Sequence, residues 1–236
     1  MGEDNFSILQ VSETSALIEF GNKIDKNINK KIRIFAEYLD KNPFYGFIEY
    51  VPYFSSISVI YNPIMIKSDE PYKTVKLKLE DILSKIDFAY DYEEHIVEIP
   101  VCYGHEFGPD IENVAETNNL TVDEVIKIHS KGEYLVYMIG FAPGFPYLGG
   151  MSEKIAAPRR ESPRTAIPEG SVGIAGMQTG VYPIETPGGW QLIGRTPIKL
   201  FNLDGDTKSL LKPGDIAKFY PISYEEYLEL RQKEEK

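Results

Sequence analysis

The chain has 236 residues, of which 42% are hydrophobic and 26% charged, the balance of a folded globular protein rather than of a disordered one. A formal net charge of −11 argues against nucleic acid and anionic membrane surfaces as partners, because both need a basic protein surface. A single cysteine, Cys102, excludes an internal disulfide, and the N-terminus lacks a signal peptide pattern, so we predict a cytoplasmic protein.

The first 90 residues alternate between strand-like and helical patterns. Apolar residues spaced by three and four within 24–40 and again from Val75 to Ile86 predict two amphipathic helices. Pairs of β-rich runs precede each helix: 6–11, 15–20, 47–53 and 56–61. Two helices on one face of a small antiparallel sheet would bury both stripes. We therefore predict an α+β N-terminal domain, a ferredoxin-like sandwich, over residues 1–90.

Residues 91–236 differ in composition from the first 90, because many glycines and prolines stand between short apolar runs. Runs of this kind, punctuated by turn residues, predict a mainly-β barrel or sandwich. The predicted strands are 95–103, 134–139, 171–175, 181–184, 190–193, 198–201 and 216–220. Capping-box spacings at Thr121 and Glu124, and at Ser223 and Glu226, begin two helices, the second over 224–235.

The segment 140–150, which reads GFAPGFPYLGG, holds three aromatic residues among glycines and prolines. Pro143 restricts φ and Gly144 admits positive φ, so the backbone is expected to take one irregular shape. A rigid loop presenting Phe141, Phe145 and Tyr147 would form an apolar pocket. The alternative is a barrel corner whose aromatic side chains belong to the core.

A second segment, 186–196, begins with a predicted turn and ends with an arginine followed by a threonine. Pro187 and Gly188 suit the centre of a type II turn, and Trp190, the only tryptophan, follows. Arg195 can present a bidentate guanidinium to a carboxylate or phosphate. A hairpin with a core tryptophan and a surface salt bridge are the corresponding alternatives.

Arg159, Arg160 and Arg164 form the densest positive cluster of this acidic chain. A proline-stiffened loop carrying arginines suits a phosphate or carboxylate ligand, and equally a solvated loop or a partner contact. His129 falls in the last turn of its predicted helix, where the helix dipole favours the protonated ring, which suits an acid–base or an anion-binding role. A lone histidine is otherwise usually structural.

Several patterns are lacking or do not match. His105, Glu106 and Asp110 follow no standard metal-ligand spacing, so no metal is predicted, and Asp110 is expected to cap the short helix after it. The sequence holds no G-x-x-x-x-G-K-[ST] phosphate loop and no G-x-S-x-G nucleophile motif. Cys102, inside a predicted strand, is expected to be a buried, inert thiol.

Four blocks, in order, resemble the KipI/allophanate-hydrolase-subunit-1 family. They are 101–110 with His129, 137–150, 168–183 and 187–197. The resemblance covers essentially the whole chain and implies a cyclophilin-like β-barrel for residues 91–236. His105 and Met177 stand where this family commonly has glycine.

The resemblance also implies a function, that of one member of a three-part ATP-dependent 5-oxoprolinase, which opens 5-oxo-L-proline to L-glutamate. Such a chain works with the C subunit to activate the lactam and is expected to be inactive alone. The A subunit then completes ring opening. ATP is the cofactor of the assembled complex. The alternatives are an inhibitor that binds a sporulation sensor histidine kinase and a component of biotin-dependent urea metabolism.

Site residues are assigned on this basis as hypotheses. His129, Arg195 and Gln178 are expected to be catalytic. The expected substrate-binding residues are Phe141, Pro143, Gly144, Phe145, Tyr147, Arg159, Arg160 and Trp190.

Overall fold

The computed structural model describes residues 6–23, 25–89, 95–203 and 208–234. The chain divides into two compact units, Met1–Glu93 and Glu94–Lys236. The predicted boundary between residues 90 and 91 lies outside the described residues. No helix in the described ranges is both long and apolar enough to cross a membrane.

The first unit contains a four-stranded antiparallel sheet with the strand order β1-β2-β4-β3. Its elements are, in chain order, β1 (Ser7–Ser12), β2 (Ser15–Glu19), α1 (Lys26–Lys41), β3 (Phe47–Pro52), β4 (Ser56–Tyr61), α2 (Pro63–Ile66) and α3 (Pro71–Lys85).

Both predicted helices of this unit are present and bury the predicted apolar stripes. The Asp25 carboxylate accepts hydrogen bonds from the first amides of α1, which fixes where that helix begins. Side chains of α1 and α3, among them Phe35 and Leu79, share one core with Ile18 and Val59 of the sheet. The α+β prediction is therefore confirmed for this unit.

The more specific name, ferredoxin-like, is not confirmed. A ferredoxin-like module runs strand-helix-strand-strand-helix-strand. Here two adjacent strands precede each of the long helices, so the connectivity differs. The sequence pattern predicted this order of elements, and the name was an interpretation beyond it.

Both edge strands of this sheet are irregular. The pairing of β1 with β2 shifts register between Gln10 and Ser12, and that of β3 with β4 shifts between Phe47 and Glu49. β3 also ends at Pro52, which has no amide hydrogen to donate.

The second unit consists mainly of short strands. Its elements are β5 (Ile96–Tyr103), α4 (Ile111–Thr117), α5 (Val122–Ser130), β6 (Tyr134–Ile139), β7 (Pro146–Gly149), β8 (Arg164–Ile167), β9 (Ser171–Ala175), β10 (Gln178–Val181), β11 (Thr186–Gly188), β12 (Gln191–Arg195), β13 (Ile216–Pro221) and α6 (Tyr224–Glu234).

Seven of these strands form a nearly closed, barrel-like sheet in the order β10-β9-β12-β5-β13-β6-β7. The two outermost strands, β7 and β10, lie against each other and bring the ends of the sheet together. Inward-facing residues such as Val101, Val136, Ile174, Ile193 and Phe219 form the core. β8 and β11 form a separate antiparallel pair.

The strand predictions for this unit are mostly confirmed, and the exceptions have local causes. The predicted strand 198–201 is absent apart from a single bridge between Phe201 and Ser209. The predicted strand 181–184 is replaced by β10, which ends at Val181. β7, β8 and β11 were not predicted, because each is only three or four residues long and contains glycine or lies beside proline.

Both predicted capping boxes are present. The Thr121 hydroxyl accepts from the Glu124 amide at 3.2 Å, while Glu124 accepts from the Thr121 amide at 2.8 Å. Ser223 and Glu226 make the same reciprocal pair at the start of α6.

Replacing the capping threonine, Thr121→Ala, is expected to lower the free energy of unfolding of the second unit by about 1 kcal/mol. The measurement is urea unfolding followed by the fluorescence of Trp190, which lies in that unit. Thr117→Ala is the matched control, because the Thr117 hydroxyl caps no helix amide and instead donates to the Asn113 carbonyl. Equal losses in the two variants would contradict the role of the cap.

Candidate functional site

The glycine-rich aromatic segment 140–150 begins at the tip of the hairpin between β6 and β7 and continues through β7. The Gly140 amide donates to the Phe145 carbonyl, and the Phe145 amide donates to the Ala142 carbonyl, both at 3.0 Å. Phe141 has φ +69° and is 71% exposed, an uncommon backbone conformation for a bulky residue. Gly144 has φ +78°, and a Cβ there would lie 2.7 Å from the Cβ of Phe201. The predicted rigid shape is thus produced by a tight hairpin tip.

Phe145 is the centre of an aromatic cluster. Its buried ring meets the rings of Phe141, Tyr147, Tyr182 and Trp190 edge to face, with centroid distances of 5.6, 5.4, 5.9 and 5.9 Å. Edge-to-face pairs at these distances are favourable because the positive ring edge meets the negative face. The cluster therefore joins the hairpin tip to the segment that carries Trp190.

A cavity of about 390 Å³ opens beside this cluster. Aromatic rings form much of its wall, and Arg159 and Gln178 supply a cation and an amide. The lining residues are Phe141, Phe145, Tyr147, Arg159, Pro163, Gln178, Tyr182, Pro187, Gly188, Gly189 and Trp190. Apolar walls with a few polar groups are typical of sites for small molecules. The arrangement suits a small ring that carries an anionic group.

Tyr182 contributes a hydroxyl that stays protonated at neutral pH. Burial raises the pKa of Tyr182, and a hydrogen bond from the Trp190 amide offsets only part of this rise. Gly188 is required beside it, because a Cβ at that position would lie 2.5 Å from the Tyr182 hydroxyl. Pro187 and Gly188 belong to β11, which pairs with β8, and Gly188 does not have positive φ, so the predicted type II turn is not formed. The close approach to Tyr182 is what requires glycine at position 188.

Gln178 reaches the cavity because it begins β10, directly after a tight turn. Ala175 and Gln178 pair across the turn, which consists of Gly176 and Met177. Gly176 has φ +58°, as expected for glycine at the first position of a two-residue hairpin turn. Met177 projects into solvent next to Gln178, whereas His105 lies in the loop before α4 and does not line the cavity.

Six of the predicted site residues meet in this cavity: Phe141, Phe145, Tyr147, Arg159, Gln178 and Trp190. Pro143 and Gly144 shape the hairpin tip without lining the cavity. Tyr182 and Pro163 line it and were missed as site residues. The sequence feature that could have identified Tyr182 as a site residue is its position within the block 168–183, which resembles the family.

Arg160, predicted to bind the substrate, does not line the cavity. Arg160 and Arg164 both donate to one oxygen of the Asp110 carboxylate, at 2.8 and 2.9 Å. Their charges are therefore engaged within the protein, while Arg159 is exposed and faces the cavity. Asp110 stands at the N-cap position of α4, but its side chain accepts no hydrogen bond from that helix, so the prediction of a side-chain cap is wrong.

Arg195, predicted to be catalytic, also does not line the cavity. Its guanidinium lies over the Phe107 ring, 5.0 Å from the centroid, and hydrogen-bonds to Tyr227 of α6. Arg195 ends β12, whereas Trp190 precedes the same strand, so the two lie at opposite ends of it.

Cys102 pairs with Arg195 across the sheet and is buried, as predicted. Burial raises the pKa of its thiol.

His129 lies inside the barrel core and does not line the cavity. The Thr179 hydroxyl donates to the Gly173 carbonyl at 3.1 Å and therefore accepts the Nε2–H of His129 at 2.8 Å. Nδ1 in turn accepts from the Tyr103 hydroxyl at 2.8 Å. Burial lowers the pKa of His129 to about 3, so the ring is neutral at pH 7, contrary to the expectation of a protonated histidine.

Comparison with known proteins relates the whole chain to one family. The family model for the carboxyltransferase domain, subdomain C and D, matches residues 6–211. The B subunit of 5-oxoprolinase from Bacillus subtilis (strain 168) is 51% identical over 228 residues, covering 94% of this chain and 95% of that protein. The protein of the same name from Escherichia coli O157:H7 is 40% identical over 212 residues, with 89% and 94% covered.

Solved structures share the fold. The structure of TTHA0988 has a TM-score of 0.76 and 30% identity and covers 89% of this chain, which spans 40% of that longer protein. The urea amidolyase of K. lactis has a TM-score of 0.73 over 97% of this chain, which spans 15% of it. At 21% identity, the second likeness shows the fold alone.

Proposed function

Because the chain belongs to the family of the carboxyltransferase domain, subdomain C and D, and its 40–51% identical relatives are named as B subunits of 5-oxoprolinase, we propose that it is the B subunit of an ATP-dependent 5-oxoprolinase. The substrate is 5-oxo-L-proline and the product L-glutamate. The chain works in a hetero-oligomer with the C and A subunits in the cytoplasm and is inactive alone. Its nearly closed barrel is of the cyclophilin-like type.

The single observation that supports this function in the structure is the aromatic cavity with Arg159 and Gln178 on its wall. The five-membered lactam ring is flat and mostly apolar, so it packs against Trp190 and Tyr147. Its carboxylate pairs with the exposed guanidinium of Arg159 through charge-assisted hydrogen bonds. The Gln178 amide, which both donates and accepts, meets the lactam N–H and C=O.

With these contacts, the residues of this chain bind and orient the lactam. A lactam resists hydrolysis because its nitrogen donates electron density into the carbonyl. ATP supplies the activation in the assembled complex. The lining residues include one cation, Arg159, whose single charge does not match a triphosphate, so this pocket is a site for the lactam and not for ATP.

The kinase-inhibitor alternative is not favoured, since the relatives that cover most of the chain carry the 5-oxoprolinase name. A role in urea metabolism rests on more distant relatives, urea amidolyases that are 23–25% identical to this chain and of whose length it spans 13%.

Reconstitution tests the proposal directly. The purified chain, mixed with candidate A and C subunits, is expected to form L-glutamate from 5-oxoproline only when ATP and all three proteins are present. Glutamate and ADP are measured together, with ATP and each protein omitted in turn. Glutamate formation that is unchanged when this chain is left out would remove it from the enzyme.

A further inference from the structure

The Asp110 carboxylate accepts three hydrogen bonds within the second unit, although Asp110 does not line the cavity. Its carboxyl group is buried, with the residue 5% exposed. One oxygen accepts from Arg160 and Arg164, and the other accepts from the Leu192 amide at 2.7 Å. The Asp110 amide also donates to the Leu192 carbonyl at 3.0 Å. A single residue thus joins two segments that are distant in sequence.

These two segments are the walls of the cavity that carry its cation and its tryptophan. The loop 158–164 bears Arg159 and Pro163, and the segment 188–192 bears Trp190. Further hydrogen bonds connect the same two segments. The Arg160 amide donates to the Gly189 carbonyl at 2.8 Å, and the Gln191 side chain donates to the Pro158 carbonyl at 2.9 Å.

The chemistry requires a carboxylate at this position. Three donors, two of them cationic, converge on the two oxygens of Asp110. An amide of the same shape offers one acceptor oxygen, and its NH₂ group would face either the Leu192 amide or an arginine, both donors. It would also leave two partly buried guanidinium groups without a counter-charge, which is costly.

From this geometry we propose that Asp110 is a positioning residue, which holds the Arg159 loop against the Trp190 segment so that cation and aromatic wall face one ligand. The inference rests on the proposed function for the identity of that ligand, 5-oxoproline. It concerns binding of the lactam and not of ATP, so its effects are specific to one of the two substrates.

The test compares Asp110→Asn with a matched control, Asp215→Asn. Asp215 is equally buried, 6% exposed, and is also engaged twice, with His95 at 3.1 Å and with the Lys212 amide at 2.8 Å. It lies outside the cavity lining. Both variants lose a buried, hydrogen-bonded carboxylate, and only Asp110→Asn weakens the connection between the two walls, since the hydrogen bonds from the Arg160 amide and the Gln191 side chain remain.

In the reconstituted complex, Asp110→Asn is expected to raise the KM for 5-oxoproline about tenfold or more while the KM for ATP stays within about twofold. Asp215→Asn is expected to leave both KM values near those of the wild type. A merely structural role would lower the fraction of active complex, and hence kcat, without changing the KM for the lactam alone.

A second readout needs no substrate. Acrylamide quenching of Trp190 in the isolated chain is expected to rise in Asp110→Asn and not in Asp215→Asn, because the loop that lines the cavity together with Trp190 is held less firmly and the cavity opens to the quencher. If the wild-type complex does not turn over 5-oxoproline but this difference in quenching is found, the proposed function fails and the positioning role stands. If the two variants agree in quenching, or in the KM for the lactam of an active complex, the positioning role is wrong.

Arg160→Gln replaces Asp110→Asn if the latter does not fold. The Arg160 side chain is 37% exposed, and Arg164 would remain on Asp110. The same rise in quenching and in the KM for the lactam is expected, to a smaller extent. Wild-type values for both in a folded Arg160→Gln protein would overturn the proposal.

Discussion

Arg159→Gln is expected to lower kcat/KM for 5-oxoproline about 100-fold in the reconstituted complex. A hydrogen bond to a charged group contributes about 1.5–3 kcal/mol, and a guanidinium can make two of them to one carboxylate. Arg159 is exposed, so its loss removes a ligand contact without removing core packing. The free energy of unfolding is accordingly expected to change little. Steady-state kinetics and urea unfolding measure the two effects.

Arg195→Gln is the control with the opposite expected result. Arg195 stacks on Phe107 and hydrogen-bonds to Tyr227, away from the cavity, so its loss should reduce stability by about 1 kcal/mol and spare the KM for the lactam. If Arg195→Gln reduces kcat/KM as strongly as Arg159→Gln does, the cavity is not the substrate site. Comparing the two variants therefore distinguishes a substrate site that includes Arg195, as the sequence suggested, from the cavity lined by Arg159.

Acid is expected to destabilise the second unit strongly through His129. The pKa of this ring is 6.5 when free and about 3 in the folded protein, so the unfolded chain binds a proton that the folded chain excludes. The resulting stability is fully present above about pH 6.5 and is lost as the pH falls toward 3. The slope approaches about 1.4 kcal/mol per pH unit, with a total of up to about 5 kcal/mol.

Urea unfolding followed by Trp190 fluorescence, repeated between pH 7 and pH 4, measures this dependence. His129→Gln removes the titrating ring, and its pH dependence is expected to be shallower than that of the wild type by the slope given above. His95→Gln is the matched control, because the His95 side chain is 68% exposed, and it should keep the steep dependence. Parallel curves for the wild type and His129→Gln would contradict the prediction.

The parts of this structure that depend on local sequence could be predicted. The stripes of α1 and α3 and both capping boxes follow from spacings of three and four residues within one segment. β6 and β9 have the predicted bounds because each is an apolar run between turn residues. Convergence of Phe145 and Trp190 required the recognised blocks, since forty-five residues separate them in the chain.

The errors that concern the site involve partners that are distant in sequence, unlike the strand errors, which have local causes. Asp110 engages Arg160 and Arg164 from fifty residues away, and no local pattern indicates that pairing. For His129 the helix-dipole argument was sound in direction, but that effect reaches about 2 kcal/mol at most and complete burial outweighs it. For Arg195, alternation along β12 gave a face of the strand and could not say which end of the strand adjoins the cavity.

The irregular outer strands of the first unit have a consequence for how this chain behaves among its own copies. A straight, unpaired strand presents a continuous row of peptide groups, on which a second chain can build further strands and so aggregate. The bulges in β1 and β3, together with Pro52, interrupt that row on both sides of the sheet. Copies of this chain are thereby hindered from joining their sheets edge to edge.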